Sequence, residues 1–395
     1  MIKTLMLDLD DTLLESHFED RLLPAYLSRL ADYLADVAAK ETLIPALLAS
    51  VRAMTENLDP TRTLKDVFDA SFYPAISASE EALRPRVDRF YQDVFPEFQT
   101  VTTPIDDAPR LVHRAIEDQL QIVVATNPLF PLAAILHRLR WAGLAPEATR
   151  LDLITSYESF HFSKPHPEYY AEILGFLGRP ATEAAVMGDD APGDLAPAAL
   201  LGVSTFHVSS SADGDYPGGT LNQGQSWLTK LIAAPPPDGP IVPPTGVLAR
   251  LRGYLAAVLA LTKGVSPEAF RQRPDPSEWA PVEVICHLRD VEREVYQPRL
   301  ALILSAEDPF ISAADPDQWA APRRYIEQSP TEALQDFVRA RLDTINTLAQ
   351  LAESGWLRTA RHALFGPTTL VEVMCMAADH DLVHLRQLRQ TLGYR

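Results

Sequence analysis

The stretch AAPPPDGPIVPPTG, residues 233–246, constrains this chain more than any other. Proline fixes φ and removes backbone N–H donors, so the segment is excluded from helix interiors and central strands. It reads as a semi-rigid extended linker. The texture differs on its two sides. Before it, TLMLDL (4–9), QIVVATN (121–127), LDLITSY (151–157), AAVMGDD (184–190) and GVSTFHV (202–208) read as strands, and residues 107–118, 130–141 and 167–177 as helices between them. That alternation implies an α/β, doubly wound parallel sheet. Residues from about 15 to 100 carry only helical periodicity, as in PAYLSRLADYLADV, and read as a helical insertion after the first strand. After the linker there is no strand signal. Residues 247–262, 281–304, 330–353 and 369–391 read as amphipathic helices, which suggests a separate all-α four-helix bundle. The expected division is 1–232 and 247–395, joined by 233–246.

At 395 residues the chain is long for one compact domain. A net charge of −18 argues against a nucleic-acid partner held by phosphate neutralisation. Cys286 and Cys375 are the two cysteines, too few for a disulfide framework, and both read as small buried apolar side chains in a reducing compartment. No signal-peptide pattern opens the chain, and no apolar run approaches the ~20 residues that cross a bilayer. The expectation is a cytoplasmic protein without a membrane partner. Nothing in the sequence speaks to oligomeric state.

The first strand runs into DLDDT, where Asp8, Asp10 and Asp11 crowd together. In an open parallel sheet, ligands bind beyond the carboxyl ends of the strands. Opposed carboxylates there are best stabilised by a divalent cation with oxygen ligands. The bland alternative is a capped strand end in which Asp11 and Thr12 form a turn. Three further segments suit the same job. VVATN ends in Thr126 and Asn127, a hydroxyl and backbone N–H suited to a phosphoryl oxygen. Lys164, in HFSKPHPEYY, is the only lysine between Lys65 and Lys230 and could neutralise carboxylates and phosphate together; alone, it would read as a surface lysine. MGDDAPGDLA places Asp189, Asp190 and Asp194 just past another apolar run.

Taken in order, DLDDT, TN, Lys164 and GDD with Asp194 resemble the motifs of the haloacid dehalogenase superfamily of hydrolases, over about residues 1–232. The helical insertion matches that family's cap. The resemblance implies a phosphatase acting on a small phosphorylated metabolite, with a phosphomutase or other hydrolase as the alternative. It gives Asp8 the nucleophile's role, through an aspartyl-phosphate, and Asp10 the acid–base role. It implies Mg²⁺ held by Asp8, the Asp10 carbonyl and Asp189, with Asp190 or Asp194 in support. Thr126 and Asn127 would bind the phosphoryl group and Lys164 would orient it.

The second half has its own candidates. His380 and His384, in AADHDLVHLRQL, share one helical face, and His287 lies on another predicted helix. Three imidazoles can hold a divalent metal with positions left open, although a bare HxxxH also suits a plain helix surface. EWAPVEVICHLRDVE and FGPTTLVEVMCMAADHDLVHLRQL resemble the DinB-like bundles, over about residues 247–395. That resemblance implies a metal site of His287, His380 and His384, taking Zn²⁺, Ni²⁺ or Fe²⁺. It leaves open a metal-dependent hydrolase, a thiol transferase or a non-catalytic module. Gln387, Trp279 and Gly366 also match residues the family often carries. Adjacent residues on a helix point about 100° apart, so Cys286 reads as core beside His287. His161 and His166 read as loop surface, and His362 as a loop residue before FGPTT.

Overall fold

The computed structural model describes residues 1–209, 214–235 and 242–394. It divides into two compact units, one of residues 1–169 and 181 up to the proline-rich segment, the other of 170–180 and the chain beyond that segment. This differs from a single cut at 233–246. The centre of that segment, 236–241, lies outside the described residues.

The strands of the first unit are β1 (Thr4–Leu7), β2 (Leu14–Glu15), β3 (Thr103–Pro104), β4 (Gln121–Val124), β5 (Leu153–Ile154), β6 (Ala184–Gly188), β7 (Ser204–Val208) and β8 (Gly218–Gly219). Six form one sheet in the order β5-β4-β1-β6-β7-β8, with every pair parallel. All four residues of β1 are buried, Thr4 followed by three apolar residues, as a doubly covered parallel strand needs. Leu7 pairs with Val124 on one side and Met187 on the other. Four of the five strands stop short of their apolar runs. The leftover polar ends, such as Asp8, Thr126–Asn127 and Asp189–Asp190, fall past the carboxyl edge of the sheet. β8 was not expected, because two glycines carry no apolar signal.

The insertion is helical, as its periodicity implies. It holds α1 (Leu23–Tyr33), α2 (Lys40–Thr55), α3 (Leu64–Ala75) and α4 (Glu80–Arg89), and the antiparallel pair β2–β3 flanks it. A reciprocal capping box between Thr63 and Asp66 starts α3. Tyr26 of α1 packs against Phe90, Tyr91, Phe95, Phe98 and Phe130, with ring centroids 5.3–6.4 Å away. The remaining helices before the proline-rich segment are α5 (Asp107–Glu117), α6 (Leu132–Trp141), α7 (Pro167–Leu177), which from residue 170 on belongs to the second unit, α8 (Ala196–Leu200) and α9 (Leu221–Ala233).

The second unit contains α10 (Pro244–Thr262), α11 (Pro281–Val291), α12 (Gln297–Ser305), α13 (Pro330–Ala349), α14 (Glu353–Trp356) and α15 (Leu370–Thr391). α10 packs on α13 and α15, and α11 packs on the same two helices, which makes the four-helix bundle. The expected helix 281–304 is interrupted by a wider turn at Glu292–Tyr296. α10 begins at Pro244, inside the expected linker, because proline suits the first helical turn. By length and composition α10 could cross a membrane, contrary to the expectation that no run comes close. However, 72% of its apolar window is buried within the protein, as in a core helix.

Another expectation fails. The second unit is not free of strands: β9 (Phe310–Ile311), β10 (Thr359–His362) and β11 (Gly366–Thr369) form a small sheet, β11-β10-β9. Their sequences, TARH and GPTT, have weak apolar alternation, and Gly366 at φ +77° starts the return strand.

Candidate functional site

At the carboxyl edge of the first unit's sheet, the three acidic residues of DLDDT separate. Asp11 takes a left-handed φ of 58° and accepts backbone N–H groups from Ser16, His17 and Phe18 at 2.9, 2.8 and 3.2 Å. The capped-turn reading is therefore right for Asp11. All three line a cavity of about 750 Å³, Asp11 with its carboxylate taken up by those backbone donors.

Asp8, Asp189 and Asp194 bring carboxylate oxygens within 4.8 Å of one another. Lys164 Nζ donates to Asp8 at 2.6 Å and to Asp194 at 2.5 Å. Gly188 permits this: a Cβ there would lie 2.1 Å from the Asp194 carboxylate. Thr12 Oγ1 donates to Asp189 at 3.1 Å, and the Asp189 carbonyl faces His207 Nε2 at 2.8 Å. Asp190 lies outside the trio, its carboxylate against Gly193. Thr126 and Asn127 line the cavity. Tyr169 and Thr155 hydroxyls each donate to the Thr126 carbonyl at 2.8 Å, while Asn127 Oδ1 is buried without a partner.

Burial, with Asp8 close by, pushes Asp189 up to about 7. Burial also pushes Asp194 up to about 7, against the opposing pull of Lys164. Asp10 is raised to about 6 by burial, with Arg138 opposing and Asp8 adding. Among the described residues lining the cavity, Asp8, Asp10, Asp11, Glu19, Asp20, Asp189, Asp190 and Asp194 face only two full cations, Arg138 and Lys164. The trio is thus short of positive charge. Its hard oxygen donors fit a divalent cation of the Mg²⁺ type.

Sequence reasoning missed Arg138. It sits on α6, is 1% exposed, and pairs with Asp10. Its guanidinium lies 5.0 Å from the Phe130 ring centre. In HRLRW it reads as an ordinary helix cation, and no local spacing marks it. The expected surface fate of His161 is also wrong, since it is 4% exposed. His166 is half-buried and meets the Thr55 carbonyl at 2.8 Å.

In the second unit, the ligand atoms of His287, His380 and His384 also lie within 4.8 Å of one another. α11 carries the first, and one face of α15 carries the other two. His287 Nε2 and His380 Nε2 are 3.0 Å apart. Burial, then the neighbouring imidazoles, lowers His287 to about 2; burial, then His384 and Arg341, lowers His380 to about 3. His384 Nδ1 donates to Gln387 Oε1 at 2.9 Å, which leaves the Nε2 lone pair for a ligand. Trp279 stacks parallel to His384 with centroids 6.0 Å apart. Three neutral imidazoles with inward lone pairs fit a divalent transition metal. Gly366 is not in the cluster, and His362 sits in β10 stacked on Phe365. Cys286 is buried, and Cys375 is half-buried.

Two further groups here were not legible in the sequence. Asp317 Oδ1 lies 4.0 Å from His287 Nε2. Beside the histidines, Arg341 donates to Glu292 at 2.7 Å and pairs with Asp381, all three buried.

A family model described as haloacid dehalogenase-like hydrolase matches residues 2–202, just over half of the chain. The chain belongs to the haloacid dehalogenase-like hydrolases. Residues 250–388 match the model of the DinB superfamily, so this hydrolase carries a DinB-type bundle after its α/β unit. Among curated proteins there is no match. Similar solved structures include the HAD phosphatase from Thermococcus onnurineus, 17% identical, covering 57% of this chain and 98% of that one at TM-score 0.38. The putative HAD-hydrolase YfnB from Bacillus subtilis, bound to magnesium, is 19% identical, covering 58% and 99% at TM-score 0.38. YfiT from Bacillus subtilis, described as a probable metal-dependent hydrolase with an unusual four-helix bundle topology, is 18% identical, covering 37% and 81% at TM-score 0.33.

Proposed function

We propose that this hydrolase is a Mg²⁺-dependent phosphatase for a small phosphorylated metabolite, working through an aspartyl-phosphate on Asp8. The convergence of Asp8, Asp189 and Asp194 around Lys164 carries this reading. An Asp8 carboxylate oxygen attacks phosphorus as the ester oxygen departs, and Asp10 gives that oxygen its proton. Asp10 then takes a proton from water, which attacks the acyl-phosphate and frees Asp8 and inorganic phosphate. A carboxyl group raised to about 6 exchanges protons readily near neutral pH, which suits both steps. Lys164 and Thr126–Asn127 hold the phosphoryl oxygens. Asp8, Asp189 and Asp194, with Asp190 and the Asp10 carbonyl near at hand, would hold Mg²⁺, which supplies charge neutralisation for the incoming phosphate.

His287, His380 and His384 would hold Zn²⁺, Ni²⁺ or Fe²⁺ in the bundle. Their depressed basicity supports a site of neutral imidazoles. Acid quench during turnover, followed by mass spectrometry, tests the first reading. Phosphate mass on the peptide bearing Asp8 is expected. Turnover of phosphomonoesters without any such adduct would remove the aspartyl-phosphate from the mechanism.

A further inference from the structure

A second cavity lies in the first unit, between the inserted helices and the loop after β4. It holds about 150 Å³. Leu23, Leu27, Leu30, Leu47, Val51 and Phe72 line it, with almost no polar surface. Phe18, Leu129 and Phe130 line both this cavity and the carboxylate cavity, so the two adjoin across these side chains. The polar side chains in its lining pair mainly with one another or with their neighbours. Arg84 donates to the Tyr157 hydroxyl at 2.9 Å and pairs with Asp69 at 2.7 Å. The Tyr26 and Tyr91 hydroxyls meet each other at 2.7 Å. Of these polar atoms, Arg84 Nε alone is buried without a hydrogen-bond partner.

An apolar cavity of this size stays dry and takes up a benzene-sized molecule, because water finds no partners in it. A sugar or glycerol chain would strip its hydroxyls of water there with too few hydrogen-bond partners to replace it. We propose that this cavity is the leaving-group pocket, and that the substrate is a phosphomonoester whose alcohol carries a compact apolar group, an aryl ring or a branched alkyl chain. The proposal rests on the phosphatase reading, and it narrows the small metabolite from any phosphate ester to an apolar one. The phosphate would lie at Asp8 and Lys164, and the apolar group would pass Phe18 and Phe130 into the cavity.

The test compares benzyl phosphate with glycerol phosphate on the full chain. Burying a phenyl-sized group predicts kcat/KM higher by about tenfold or more for the benzyl ester. Val51→Phe, which fills the cavity, should erase that advantage. Competition by benzylphosphonate against methylphosphonate on the unaltered protein needs no variant, and the benzyl compound should inhibit about tenfold more strongly. Equal rates and equal inhibition for the two classes would overturn the apolar pocket and leave the phosphatase intact. An advantage that survives in a folded Val51→Phe protein would also overturn it. If no phosphomonoester is hydrolysed at all, the phosphatase reading falls and takes this inference with it.

Discussion

The two clusters of ligand atoms meet the same geometric test, with donors within 4.8 Å, and differ in almost everything else. The first unit gathers Asp8 from the end of β1 and Asp189 and Asp194 from the segment after β6, and balances them with Lys164 from a loop. The second gathers two of its three histidines from one helix face. Carboxylates carry charge and repel, so their site needs cations from elsewhere in the fold. Imidazoles are neutral when buried, so their site needs only desolvation and an oriented tautomer. The difference teaches that a charged site depends on the whole tertiary structure, whereas a neutral one can be built by a local repeat and one partner helix.

The comparison breaks most sharply at Asp8. Asp8→Asn should lower phosphomonoester turnover by ~10⁴-fold or more with the far-UV spectrum unchanged, since an amide cannot form the acyl-phosphate. Wild-type-like rates would remove Asp8 as nucleophile. Next comes the separability of the sites. His380→Ala combined with His384→Ala should weaken transition-metal binding by ~10³-fold or more, read by metal analysis after dialysis, because one imidazole remains of three. Chelator-sensitive, Mg²⁺-restored phosphatase activity should stay within about twofold of wild type if the hard and soft sites are chemically independent. Loss of that activity in a folded double variant would show the two sites to be coupled.

Arg138→Met tests the charge balance of the first site. Arg138 opposes the rise of the Asp10 pKa, so its removal leaves that pKa above about 6. The rising limb of the kcat–pH profile should then move to higher pH, with kcat lower by ~10-fold or more near neutrality. An unmoved limb would make Arg138 a packing residue alone. The smallest effect is in the bundle. From reference basicity, metal binding should fade as pH drops through ~6.5. Burial holds His287 and His380 near 2 and 3, so their lone pairs stay free as pH falls. Metal content of the dialysed protein should therefore change less than about twofold between pH 7 and pH 6.

The sequence by itself determined the α/β and helical halves, because hydrophobic period and proline content are local properties. It also determined which residues were candidates: apolar runs ending in DLDDT, TN and GDD mark strand ends, and HxxxH marks a helix face. Register then set where each run stopped pairing, so Asp8 and Thr126 emerged at an edge rather than inside the sheet. Only the tertiary structure decided the rest. It committed Asp11 to a backbone cap, deciding between two readings the sequence left open, and it brought Arg138 from α6 to Asp10. It hid His161, folded TARH and GPTT into strands, and set Asp317 beside His287. It also left an apolar space under the inserted helices. Each of these depends on partners distant in sequence, and burial, charge pairing and cavity shape exist only once those partners meet.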